Sequence, residues 1–110
     1  MKKRITIHTK NSIFVIDPDD VLYCQCKDFS TIIYLKNDET LEISKDMDAV
    51  EKLLEGNGFI RPHHAFLVNR NYISRVDIAD DQSLILTNQV KIPLTGKTQD
   101  EILEFINSSN

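Results

Sequence analysis

The chain has 110 residues, 41% of them hydrophobic, with 13 Lys and Arg against 17 Asp and Glu, which gives a formal net charge of −4. This length supports one hydrophobic core but not two ordinary domains, so we expect residues 1–110 to form a single domain. Because acidic residues outnumber basic ones, the chain is not a polycation that binds nucleic acid through charge alone. Any DNA contact must come from a local arrangement of basic groups.

The sequence predicts no secretion signal and no membrane span. The start, Met1–Arg4, is basic, but the following residues, Ile5–Lys10, alternate apolar and polar and lack the apolar core of a signal peptide. The longest apolar runs, Ile13–Ile16 and Ile32–Leu35, are far shorter than the roughly 20 residues that a membrane helix needs. We therefore expect a cytoplasmic protein that does not contact a membrane.

Short β-branched segments separated by turn residues predict about eight strands. They are Ile5–Thr9, Ser12–Ile16, Val21–Cys26, Thr31–Lys36, Thr40–Ile43, Tyr72–Ala79, Ser83–Thr87 and Gln89–Pro93. One predicted helix is capped by Ser44 and directs Met47, Val50, Leu53 and Leu54 to the sheet, and a second covers Thr98–Ile106. No βαβ unit is visible, so we expect an antiparallel meander that closes into a barrel or stacks as sheets.

The sequence lacks the residue patterns that usually indicate catalysis. None of the three glycines stands in a phosphate-binding motif, and His63-His64 lacks the helical spacing of a metalloprotease site. Cys24 and Cys26 lie within a predicted strand, where free cysteines commonly act as small apolar residues. We therefore expect no enzyme activity, no cofactor and no metal.

The segment from Phe59 to Arg75 has an irregular pattern and an unusual charge. It contains Arg61, Arg70 and Arg75 together with His63 and His64, but no acidic residue. Guanidinium groups bind phosphate or guanine, and imidazoles can contact base edges, so this mixture indicates a nucleic-acid surface. The alternative is a solvated loop with packed apolar residues.

Five short motifs, in matching order and spacing, resemble the LytTR DNA-binding domain of bacterial response regulators and standalone transcription factors. The motifs span nearly the whole chain: Asp20-Val-Leu-Tyr23, the helix Ser44…Met47…Val50…Leu53-Leu54, Phe59-Ile-Arg-Pro-His63, Phe66-Leu-Val-Asn69…Ile73 and Ile92-Pro-Leu-Thr95. The resemblance implies a mostly β fold: an elongated, antiparallel, multi-sheet domain with two short helices.

The resemblance also implies a function, sequence-specific reading of promoter half-sites through loops placed in successive major grooves. The implied DNA-facing segments are 27–31, 63–65 and 95–97. The implied DNA-binding residues are His63, His64, Arg61, Lys97, Lys27, Ser30 and Arg70. Among them we expect His63 to contact a base, and Arg61, Arg70 and Lys97 to contact phosphate. Asn69 could in principle read adenine, but its place before a strand favours a structural role.

Two departures from the family pattern affect the expected contacts. Gly96 stands where many members have Arg, and Ala65 stands where many have Ser. The expected partner is double-stranded DNA carrying promoter repeats, bound by a monomer that pairs only on DNA. No receiver domain fits within 110 residues, and the Met1 start favours a standalone regulator over an excised fragment. The alternative function is a non-catalytic β domain that binds a protein or a small ligand.

Overall fold

The computed structural model describes residues 4–79, 81–94 and 99–108. Within these ranges the chain forms ten strands and two α-helices. The strands are β1 (Ile5–His8), β2 (Ile13–Ile16), β3 (Val21–Lys27), β4 (Ser30–Leu35), β5 (Thr40–Ile43), β6 (Phe59–His63), β7 (Phe66–Asn69), β8 (Ile73–Asp77), β9 (Ser83–Leu86) and β10 (Lys91–Pro93). The helices are α1 (Met47–Leu53) and α2 (Gln99–Asn107).

The strands form three antiparallel sheets. The largest has the order β5-β4-β3-β7-β6, and the others are β10-β9-β8 and β1-β2. The described residues extend over 44 × 35 × 24 Å. The predicted class, an elongated antiparallel β fold of stacked sheets with two short helices, is confirmed. Neither described helix is long and apolar enough to cross a membrane.

The five-stranded sheet is the middle layer and is buried on both faces. One face packs against α1 and the β1–β2 hairpin through Cys24, Ile33 and Leu67, among others. The opposite face packs against the three-stranded sheet and α2 through Leu22, Tyr23 and other residues. The pairing register of β3 with β4 shifts between Val21 and Tyr23, which lets the consecutive Leu22 and Tyr23 belong to the same cluster. Burial on both sides fixes the position of β3.

The largest difference from the sequence prediction lies in residues 59–69, which form the β6–β7 hairpin instead of an irregular segment. Pro62 is unexpected within a strand because proline has no N–H to donate. In the structure β6 is the edge strand of its sheet, and its register with β7 is irregular between Ile60 and His63. A proline is tolerated at such a place because no ladder hydrogen bond is lost.

Helix α1 begins later than predicted, because Asp46 and not Ser44 is its N-cap. The Asp46 carboxylate accepts a hydrogen bond from the Ala49 N–H at 2.9 Å. Before it, the Thr31 hydroxyl donates to the Lys45 carbonyl at 2.7 Å and holds this segment against β4. Leu53, which was expected to face the sheet, lies at the rim of the helix interface and is only half-buried.

Two adjacent leucines test which face of α1 carries the packing energy. Leu54 is 2% exposed, within the cluster that contains Met47 and Val50, so Leu54→Ala should lower the free energy of unfolding by about 2–5 kcal/mol. The half-buried Leu53 is the matched control, and Leu53→Ala should cost about 1 kcal/mol. Urea unfolding of both variants measures the difference. Equal costs would show that the buried face of α1 has been assigned incorrectly.

Candidate nucleic-acid interface

Two hairpin turns lie side by side at one end of the middle sheet. The β3–β4 turn, Asp28-Phe29, is closed by the pair Lys27 and Ser30. The β6–β7 turn, His64-Ala65, is closed by the pair His63 and Phe66. Because β3 pairs with β7, the Cys26 N–H donates to the Ala65 carbonyl at 2.9 Å. We call residues 27–30 and 63–65 the paired turns. Four of the predicted DNA-binding residues, Lys27, Ser30, His63 and His64, are brought together there.

The first turn is held by an acidic residue of β5. The Ser30 hydroxyl donates to Glu42 at 2.8 Å, with the Lys27 carbonyl as a second acceptor at 3.0 Å. The Lys27 ammonium lies 3.6 Å from the same Glu42 carboxylate. Asp28 adopts a φ of 54°, a left-handed conformation that Asp tolerates better than most residues. At the tip, Phe29 is 97% exposed, and Lys27 remains accessible to an anion from solvent.

The second turn fixes the ring of His63. Its Nδ1 accepts a hydrogen bond from the Ala65 N–H at 3.0 Å, and the ring stacks on His64 with centroids 4.3 Å apart. Phe66 meets the same ring edge-on at 5.7 Å. Desolvation, and to a smaller extent the charge of His64, lower the pKa of His63 below its usual value. Because Nδ1 is an acceptor here, the hydrogen of the neutral ring is on Nε2.

Arg61 lies behind the second turn and uses its donors within the protein. Its Nε and Nη2 donate to the His64 carbonyl at 3.3 and 2.9 Å. Its Nη1 donates to Asp48 and, at 3.1 Å, to Glu51, both on α1. The hydrogen bond that Arg61 donates to Asp48 is the main cause that raises the pKa of Arg61, with burial acting in the opposite direction. The contacts observed for Arg61 are therefore structural, and its predicted phosphate contact stays a prediction.

The remaining predicted basic residues are not part of the paired turns. Arg70 follows the far end of β7, about 13 Å along the strand from the His64 turn, and its guanidinium lies 5.4 Å from the centroid of the Phe105 ring on α2. Arg75 pairs with Asp77 at 2.9 Å on β8. The three arginines of the basic segment therefore lie on β6, directly after β7 and on β8. Lys97, with the rest of segment 95–97, lies outside the described residues.

Sequence reasoning missed the residues that organise the turns. Glu42, Asp48 and Glu51 come from other elements, so only the tertiary fold reveals them. Exposed Phe29 could have been noticed, since an aromatic residue at a tight polar turn is unusual. Asn69 is 1% exposed, and its amide donates to the Val21 carbonyl at 2.9 Å, which confirms the structural interpretation. In the part of the chain that the structure describes, no group of three potential metal ligands is found.

Known proteins resemble this chain over most of its length. The family model for the LytTr DNA-binding domain matches residues 11–107. The sensory transduction protein LytT of Bacillus subtilis (strain 168) is 25% identical over 105 residues, which are 94% of this chain and 43% of that protein. The LytT protein of Enterococcus faecalis (strain ATCC 700802 / V583) is 23% identical over 107 residues, 96% of this chain and 44% of that protein. The chain spans less than half the length of these curated relatives.

A solved structure shares the fold. It is described as the LytTr DNA-binding domain of a putative methyl-accepting/DNA response regulator from Bacillus cereus. The match has a TM-score of 0.74 at 23% sequence identity and covers 97% of this chain and 99% of that one. Because the family model covers almost the whole chain and the solved structure has the same fold, the chain belongs to the LytTr DNA-binding domain family.

Proposed function

We propose that the domain reads promoter half-sites by placing the paired turns in the major groove. The observation that supports this most strongly is the Cys26–Ala65 hydrogen bond, which brings two projecting turns with cationic and imidazole side chains to one end of a rigid sheet. The domain acts in the cytoplasm without catalysing a reaction. It is a monomer in solution and pairs on repeated half-sites, whose spacing then fixes the distance between copies.

In this proposal His63 contacts a base as a hydrogen-bond donor. With Nδ1 engaged by Ala65, the ring offers Nε2–H to the outside. The acceptors in the major groove are N7 and O6 of guanine, N7 of adenine and O4 of thymine. His63 therefore discriminates against positions that present a donor, such as the amino group of cytosine. His64, which is exposed, supports the ring by stacking and is available to DNA itself.

Few of the predicted DNA-binding cations are available for phosphate contacts in the part of the chain that the structure describes. Lys27 is the accessible basic residue of the first turn, and Ser30 can donate to phosphate once its hydroxyl leaves Glu42. Lys97 is proposed as a further phosphate contact, and phosphate contacts by Arg61 and Arg70 remain predictions. Together with the net charge of −4, this small number implies a shallow salt dependence of binding.

Two lysines with matched surroundings test the location of the DNA surface. Lys27 and Lys36 pair with one carboxylate each and have side chains 55% and 53% exposed, but they lie at opposite ends of β4, about 20 Å apart. Lys27→Ala should weaken cognate and scrambled DNA alike and reduce the slope of log K against log salt by about one. Lys36→Ala should leave the slope unchanged.

The DNA for this test is a site selected from a random-sequence pool with the wild-type domain. Fluorescence polarisation at several salt concentrations gives the slope for each variant. If Lys27→Ala and Lys36→Ala lower the slope equally, basic residues attract DNA regardless of where they lie on the domain. The proposed orientation on DNA would then be wrong.

Replacing His63 should affect specificity more than general affinity. His63→Ala should weaken the selected site by about 1–3 kcal/mol, relax preference at one base position and leave scrambled DNA nearly unaffected. A parallel site selection with wild type and variant measures both effects, and an unchanged melting temperature confirms that the variant is folded. Identical selected sequences with equal affinities would remove His63 from base reading.

The ring of His63 should also show its tautomer directly. Long-range ¹H–¹⁵N spectra should report hydrogen on Nε2 and a pKa below the usual value of about 6.5, and His64→Ala should raise that pKa. Since the folded pKa is lowered, the contribution of His63 to stability is complete above about pH 6.5 and is lost as pH falls through the folded value. Hydrogen on Nδ1 at neutral pH would contradict the assigned hydrogen bond.

A further inference from the structure

One peptide group of the second turn is held at both of its ends. The carbonyl of His64 accepts hydrogen bonds from Nε and Nη2 of Arg61, and the N–H of the following residue, Ala65, donates to Nδ1 of His63. These two groups belong to the same planar peptide unit. Any rotation of that plane changes both bonds together. The position of Arg61 is therefore coupled to the orientation of the His63 ring.

Arg61 is itself held by α1. Its Nη1 contacts the carboxylates of Asp48 and Glu51, while α1 is anchored in the core by Met47 and Val50. We call Arg61, Asp48 and Glu51 the α1 brace. The brace links a helix packed in the core to the turn that carries the histidines.

The two acids would otherwise be unfavourable for a DNA-binding protein. Asp48 has a side chain 82% exposed and that of Glu51 is 48% exposed, so their ion pairs with Arg61 add little to global stability. Both also lie close to the proposed DNA surface, where a negative charge repels phosphate. Neither the stability of the fold nor attraction to DNA therefore explains why these two acids lie beside Arg61.

We propose that Arg61 is a positioning residue, which acts through the His64–Ala65 peptide to orient His63 for base reading, and that Asp48 and Glu51 fix Arg61 for this purpose. The proposal rests on the proposed function of the paired turns. It differs from a phosphate contact by Arg61, because a positioning residue changes discrimination between sequences, whereas a phosphate contact changes the affinity for all DNA.

The acids provide a test in which charge and positioning act in opposite directions. Asp48→Asn with Glu51→Gln removes two negative charges, so electrostatics alone should raise affinity for every DNA. If the brace positions His63, affinity for scrambled DNA rises while affinity for the selected site falls, and their ratio decreases by about tenfold, within the range for one base contact. Glu55→Gln, an exposed acid one turn after Glu51, is the matched control and should not decrease the ratio.

If both affinities rise by the same factor and the salt slope steepens, the released Arg61 contacts phosphate and the positioning role is wrong. A second measurement is independent of DNA. In the free protein, the Asp48→Asn, Glu51→Gln variant should accelerate hydrogen exchange of the Ala65 amide without lowering the melting temperature, while Glu55→Gln should not. An unchanged exchange rate of the Ala65 amide would contradict the proposed role of the α1 brace. A wild-type domain that fails to prefer any sequence would overturn the proposed function, while the exchange result still decides the brace.

Discussion

The antiparallel pairing of β3 with β7 is the constraint on which the rest of this structure depends. It joins two hairpins that are far apart in sequence, β3–β4 and β6–β7, into one sheet. Apolar clusters on both faces of that sheet fix its register, since a shift by one residue would exchange Cys24 and Tyr23 between two different cores. With the register fixed, the two turns necessarily project from the same end. The geometry of the proposed DNA surface is therefore a consequence of packing elsewhere.

The charge distribution shows how an acidic chain can still carry a DNA-binding surface. Near the paired turns, basic groups are not left as a diffuse cationic patch, because Glu42 contacts Lys27 and two carboxylates contact Arg61. Such pairing lowers general attraction to phosphate and orders the side chains that remain. In the proposed mode of binding, selectivity comes from the shape and hydrogen bonding of the turns, with less contribution from charge.

Much of the fold was predictable from residue patterns, and the reasons for the exceptions are physical. Short β-branched and apolar segments between turn residues indicated β1–β5 and β8–β10. β6 was not predicted because it contains Pro62, which is disfavoured inside a strand. The sequence does not reveal that this strand lies at a sheet edge, where a missing N–H is harmless. The family motif indicated His63, but not the role of its neighbours. Asp48 and Glu51 precede Arg61 by 13 and 10 residues, and only the tertiary fold brings them into contact with it.

An amide chemical-shift map of the ¹⁵N-labelled domain, titrated with its selected DNA site, tests most directly whether the paired turns are the DNA surface. The largest changes should fall on residues 27–30 and 63–65. The exposed apolar residues Ile13 and Val15 on β2, and Ile78 after β8, should change little. Changes centred on β2 or on residue 78, with the paired turns unaffected, would contradict the proposed mode of binding.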